Sequence, residues 1–301
     1  MKLIKGILYS TLATTLLSAC GNEKGKYDAT GTFEATEVIV SSEASGKLMD
    51  FNVTEGDQLQ QGKEVGYVDT VQLYLKKLQL QANTTTVRSR RQDIGKQIAA
   101  IKQQIVTQER EKKRWENLVK SNAGNQKQLD DINSQIAYLQ KQLIAQTSTL
   151  ENNNAGVNGE SSSLEIQIAQ LNDQLNKCHI ISPINGTVLS KYAEKGELAI
   201  PGKALFKVAD IENMFLRAYI TSDQLSQIKI GQKVKVFADY GGENVKEFPG
   251  TVTWISNKSE FTPKGILTKD ERANLVYAVK VAVKNSGDIK IGMYGEVSFT
   301  K

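Results

Sequence analysis

Residues 46–68, GKLMDFNVTEGDQLQQGKEVGYV, return 140 positions later as residues 186–208, GTVLSKYAEKGELAIPGKALFKV. Gly46, Gly56 and Gly62 match Gly186, Gly196 and Gly202, and their neighbours keep step: Leu48 with Val188, Asp57 with Glu197, Lys63 with Lys203, Val65 with Leu205, Val68 with Val208. Within each copy, short alternating runs are separated by glycine-centred turns, the pattern of brief β-strands. Glycine supplies the positive φ that such turns demand. A unit this small cannot bury a face alone, so the two copies are expected to pack together. The segment between them must then leave and re-enter one small domain at nearly the same point.

That segment carries a heptad pattern. Leu73, Leu80, Val87, Ile94 and Ile101 recur at every seventh position and, after a polar interruption at Gln108, so does Trp115; Ile98, Ile105 and Leu118 form a partial second row. A second arm follows with Leu129, Ile136, Leu143, Leu150, Val157, Leu164, Leu171 and Cys178, accompanied by Ile132, Leu139, Ile168 and Leu175. This spacing predicts two long helices packed as an antiparallel coiled coil. Each arm of about 50 residues would reach about 75 Å at about 1.5 Å per residue. The turn-forming cluster Ser121-Asn122-Ala123-Gly124-Asn125 places the tip near 119–127. Residues 152–163 are poor in helix formers, yet the heptad row passes through them in phase, which favours a helix that frays or breaks there.

The chain's 301 residues suffice for two or three modest domains. Lys2 and Lys5 precede a short apolar stretch from Ile4 to Leu17, too short to span a bilayer comfortably and typical of an export signal. Leu17-Ser18-Ala19-Cys20 resembles the bacterial lipobox, which implies removal of residues 1–19 and a diacylglycerol-bearing Cys20 as the mature N-terminus. Multiple acyl chains anchor stably. The net charge of +5 falls to +3 without Lys2 and Lys5, and no basic-aromatic platform accompanies it, which argues against nucleic acid. Cys178 and His179 adjoin, but no further histidine or CxxC accompanies them, so neither a metal nor a nucleophile is expected.

The duplicated frame resembles the biotinyl/lipoyl-like fold, a sandwich of two similar halves. Carrier domains of that fold present a modified lysine on the hairpin between the halves; here the first half ends at Val68-Asp69-Thr70 and the long insert replaces the hairpin. A lipoyl-like sandwich split by a coiled coil, behind a lipobox, resembles the periplasmic adaptor, or membrane fusion protein, family (HlyD-like) of tripartite exporters. Members that dock on TolC-type outer-membrane channels carry Arg, Leu four residues on and Ser seven further at the tip; Arg114, Leu118 and Asn125 stand at those places, Asn for Ser. The resemblance implies channel docking through these residues, an inner-membrane transporter as second partner, and a homo-oligomer, a hexamer in the family.

After Val208, runs at Phe215–Ile220, Lys233–Phe237, Thr251–Ile255, Val276–Val283 and Glu296–Phe299 predict short strands closing into a small barrel, with Lys258–Leu275 as a loop across it. The expected fold class is α+β multidomain: a split biotinyl/lipoyl-like β-sandwich with an inserted long antiparallel α-helical hairpin, plus a C-terminal β-barrel. The expected parts are a signal peptide (1–19), a linker from the anchor (20–36), sandwich halves (37–71 and 178–209), the hairpin (72–177) and the barrel (210–301). Many family members carry a further membrane-proximal domain; its expected absence leans the transporter toward ABC rather than RND type. No catalytic constellation, cofactor or metal is expected beyond the lipid on Cys20. The expected location is the periplasm, held to the inner membrane. A self-associating envelope lipoprotein and a carrier-type protein are the competing readings.

Overall fold

A computed structural model describes residues 27–241, 244–260 and 275–299. The repeated frames form one sandwich, from strands β1 (Ala29–Ser41), β2 (Gly46–Phe51), β3 (Gln58–Leu59) and β4 (Glu64–Val68) on one side of the insert and β5 (His179–Ile181), β6 (Gly186–Lys191), β7 (Leu198–Ala199) and β8 (Ala204–Thr221) on the other. Their backbone bonds cross between the halves in matched pairs. Leu48 N donates to Glu197 O (2.8 Å) as Val188 N does to Asp57 O (2.9 Å); Gly62 N donates to Ser182 O (2.8 Å) as Gly202 N does to Ser42 O (2.9 Å). Gly56 to Val188 and Gly196 to Leu48 repeat the relation at 2.9 and 2.8 Å. Each half therefore satisfies its turns on the other, and neither can close its ladder alone. The core between them is built from matched residues: Leu48 and Val188, Val53 and Ala193, Leu59 and Ala199, Val65 and Leu205, Val68 and Val208 are all buried.

The glycines serve two purposes. Gly62 and Gly202 have φ of +81° and +88° with open space around a would-be Cβ, so they are there for the turn. Gly186 lacks a positive φ and is there for room: a Cβ would stand 2.4 Å from the Ala209 carbonyl oxygen.

The insert leaves after β4 and returns at β5, its ends tied by Val68 N donating to Cys178 O (2.9 Å) and by the pairing of Tyr67 with His179. The returning arm is one helix, α3 (Gln126–Lys177), and residues 152–163 lie within it. The interruption falls instead in the outgoing arm, expected as one long helix but divided into α1 (Val71–Ser89) and α2 (Ile94–Lys120). Asn154 of α3 answers the division. Its amide donates to Gln92 O and its carbonyl accepts from Gln92 N, both at 2.9 Å, with the side chain buried in the seam. Asp93 caps α2 by accepting from Lys96 N (3.2 Å). Buried Ser161 accepts from Arg88 Nε (3.1 Å), and Arg88 also pairs with Glu165. The residues that looked poor for a helix are thus the ones that satisfy the interrupted arm opposite, so α3 neither breaks nor frays here.

The five runs read as C-terminal strands fall within β8, β9 (Lys233–Asp239), β10 (Val245–Glu260), β11 (Val276–Lys284) and β12 (Tyr294–Ser298), apart from Phe299, which follows β12. With β1 they close a six-stranded barrel in the order β1-β12-β9-β10-β11-β8, sealed by β1 on β8, around Phe33, Leu216, Val236, Val281 and Val297. One expected boundary is corrected. Residues 29–36 belong to β1 rather than to a linker, because Ala29–Thr32 pair with Val297–Tyr294 and Thr30–Glu34 with Tyr219–Phe215. β8 runs through both units: its residues 206–209 pair with β6 in the sandwich and 213–221 with β11 in the barrel. Of the expected 258–275 loop, residues 258–260 are strand, and 261–274 lie outside the described residues. A buried Asn285 pins the junction: its amide donates to Ile211 O (2.8 Å) and Ile289 O (2.9 Å).

Gly186→Ala is expected to cost about 3 kcal/mol or more, since the backbone must move to admit it, whereas Gly202→Ala costs about 1–2 kcal/mol for a left-handed residue. Urea midpoints read the ordering, and equal midpoints would contradict it. For Asn154→Leu, helix propensity alone predicts a gain, but the orphaned Gln92 peptide predicts a loss of about 2 kcal/mol. Trypsin should then cut faster after Arg90 and Arg91; slower cutting would deny Asn154 this role.

Candidate functional site

The far end of the hairpin gathers three of the four residues singled out in the sequence. Arg114 and Leu118 lie one helical turn apart on α2, so their side chains share a face. Leu118 does not continue the row of Ile98 and Ile105, as its spacing suggested. That row runs on to half-buried Val119, one position later, and Leu118 is left 41% exposed. An apolar side chain off the seam and this exposed is open to contact from outside the hairpin. Among the described residues Arg114 is held only by Glu111, 2.8 Å away and one turn back, with 73% of its side chain in solvent. So weak a surface pair leaves the guanidinium free to exchange partners.

The turn is built to keep Leu118 in place. Its carbonyl accepts from Ala123 N (2.9 Å) and from the Ser121 hydroxyl (3.0 Å), and Asn122 takes a left-handed φ of 57°, which asparagine tolerates. Gly124 packs against it so closely that a Cβ would meet Leu118 C and Cβ at 3.0 Å. Asn125 caps α3 by accepting from Lys127 N at 2.9 Å in an extended conformation. Its oxygen is thereby committed to the helix, while its exposed amide nitrogen can donate elsewhere. Serine at the family's equivalent position would cap just as well.

The other candidates read as structure. Cys178 is 1% exposed, its Sγ donates to Gln174 O (3.3 Å), and burial, with a smaller push from the Asp69 carboxylate, raises its thiol above the usual range. A buried thiol with a raised pKa is a poor nucleophile. His179 Nδ1 meets Glu64 Oε1 at 2.9 Å on the surface. Among the described residues no cluster of His, Cys, Asp and Glu is placed to hold a metal, and no helix is long and apolar enough to cross a membrane. Cys20 lies outside the described residues. Two features escaped the sequence reading. Ser42 and Ser182, buried and 140 residues apart, donate alike to Ala44 O (2.7 Å) and Ile184 O (2.8 Å). Counting back by sevens from Ile168 reaches Ser161 and Asn154, the polar seam positions that support the divided arm.

The sandwich and its insert match a family model. The one described as the RND MFP barrel-sandwich hybrid domain covers residues 36–211. The UPF0194 membrane protein YE2891 of Yersinia enterocolitica is 27% identical over 99% of both chains. A UPF0194 membrane protein of Citrobacter koseri is 25% identical over 90% of this chain and 87% of its own. Among solved structures, MacA from Actinobacillus actinomycetemcomitans superposes with a TM-score of 0.55 at 20% identity, covering 89% of this chain and 76% of that one. A MacA-MexA chimera carrying the Pseudomonas aeruginosa MexA α-hairpin gives 0.54, also at 20% identity, over 91% and 81%. At such identity these two likenesses are of fold. The domain match spans more than half of the sequence and includes both halves of the sandwich with the hairpin between them, and by it the chain belongs to the membrane fusion protein family of periplasmic adaptors.

Proposed function

We propose that the protein is a lipid-anchored periplasmic adaptor that links an inner-membrane transporter to a TolC-type outer-membrane channel for efflux or secretion. The observation that carries this reading is the tip: an exposed leucine outside the seam, an arginine one turn below it, and a capped turn holding both. A fixed apolar knob flanked by hydrogen-bonding groups suits insertion between the helical ends of another coiled coil. Cys20 would fix the base to the inner membrane, the barrel and sandwich would meet the transporter, and the hairpin would span the distance between. On α1, Val71, Tyr74, Leu75 and Leu78 fall at helical spacing and are all exposed, a stripe that side-by-side protomers in a ring would cover. The transporter's class belongs to the proposal too: the sequence reading leans toward ABC, whereas the matched domain carries the RND label.

Leu118→Asp is expected to weaken capture of a purified TolC-type channel by roughly tenfold or more, the scale of an interface hot spot, with the circular dichroism and unfolding midpoint unchanged. Undiminished capture would remove the tip from the mechanism and favour the self-associating envelope lipoprotein instead. Asn125→Ser is expected to keep both stability and capture. Asn125→Ala should cost about 1 kcal/mol through loss of the cap.

A further inference from the structure

The barrel end at which the chain emerges toward Cys20 has a distinct surface. Asp28 is clamped there: its carbonyl accepts from Gln224 Nε2 (2.7 Å) in α4 (Ser222–Leu225), and its carboxylate accepts from Phe299 N (2.7 Å). Tyr27 packs on Phe237, ring centroids 5.0 Å apart. The path is thus fixed as far as residue 27, and six residues lie between it and Cys20, a reach of at most about 25 Å. On the same end, just beyond α4, the chain makes a tight turn. Gln232 N donates to Lys229 O (3.1 Å), Gly231 N to Val252 O (2.8 Å), and Gly231 has φ of +88°. Ile228 is buried beneath the turn, while Ile230 at its apex is 67% exposed between exposed Lys229 and Lys233.

We infer that this barrel end rests on a lipid surface, with Ile230 entering the interfacial region and Lys229 and Lys233 meeting anionic headgroups. The inference rests on the anchored reading of Cys20. A tether this short keeps the turn within reach of the bilayer, where an exposed apolar residue flanked by lysines is favoured by both burial and charge. Ile230 needs no such exposure for the fold, because the turn is held by backbone bonds and by Ile228. The Cys20 lipid alone would leave the barrel free to swivel; a second contact fixes its orientation beneath the hairpin.

The test uses full-length protein purified from membranes, reconstituted into vesicles of phosphatidylethanolamine and phosphatidylglycerol, and carrying an environment-sensitive maleimide at Ile230→Cys or, as control, at Ile166→Cys on the hairpin shaft. Buried Cys178 does not compete for the label. The expected result is flotation with the vesicles and loss of about half the emission at position 230 to headgroup spin labels, which lie within the roughly 5–10 Å depth of interfacial burial, with no loss at position 166. Lys229→Glu combined with Lys233→Glu should abolish the difference; an undiminished difference would overturn the role of the lysines. Flotation without quenching at position 230 would overturn the surface and leave the anchor standing. Failure to float would overturn both.

Discussion

The hydrogen bonds that cross between the two halves of the sandwich are what the rest of the molecule depends on. Leu48, Gly56 and Gly62 find their acceptors in the second half, and Val188, Gly196 and Gly202 find theirs in the first. A half without its counterpart would leave these groups to water and lose the matched core of Leu48, Val65, Val188 and Leu205. The two stretches must therefore meet, however long the chain between them. Once they meet, the ends of that chain sit side by side at Val68 and Cys178, and the only compact path for a long helical insert is out and back.

An insert of this kind has little to pack on except itself, and its seam shows it. Val87, Ile98, Ile105, Ile132, Ile136, Leu139, Leu150 and Leu171 are its buried apolar residues, and most other positions on the arms are exposed or half-buried. One arm is continuous and the other divided, and the division is supported by polar groups rather than filled with apolar ones. Asn154 takes both backbone hydrogen-bonding groups of Gln92, so neither is left unpaired where the arm divides. The outcome is a two-armed hairpin with Leu118 set off the seam at its far end. Below, β1 and β8 run unbroken from sandwich to barrel, paired along both, so the base and the arm are parts of one connected framework.

How much of this was legible follows from where the information lay. The repeat, the heptads and the alternating C-terminal runs are periodic, and periodicity survives in sequence; the sandwich, the hairpin and the barrel strands were readable for that reason. The division at residues 90–93 was hidden by the same regularity, because Val87 and Ile94 stay seven apart across it. Asn154 and Ser161 looked like helix breakers because propensity is local, whereas their partners Gln92 and Arg88 come from the opposite arm. Residues 29–36 looked like a linker because Ala29-Thr30-Gly31-Thr32 offers no large apolar side chain. Their place in the barrel is set by β12 and β8, and Gly31 is needed because a Cβ would strike the Arg217 carbonyl. At the tip, Arg114, Leu118 and Asn125 were recognisable from spacing, but that Leu118 leaves the seam while Asn125 caps α3 required coordinates.

The proposed bridging role turns on whether the hairpin tip meets an outer-membrane channel. The most direct measurement places a photo-crosslinking residue at position 118 in intact cells, with position 166 on the shaft as comparison, and identifies what is captured. An outer-membrane channel protein attached at 118 and absent at 166 is the expected result. Capture at 118 of further copies of the same chain, and of nothing else, would contradict it.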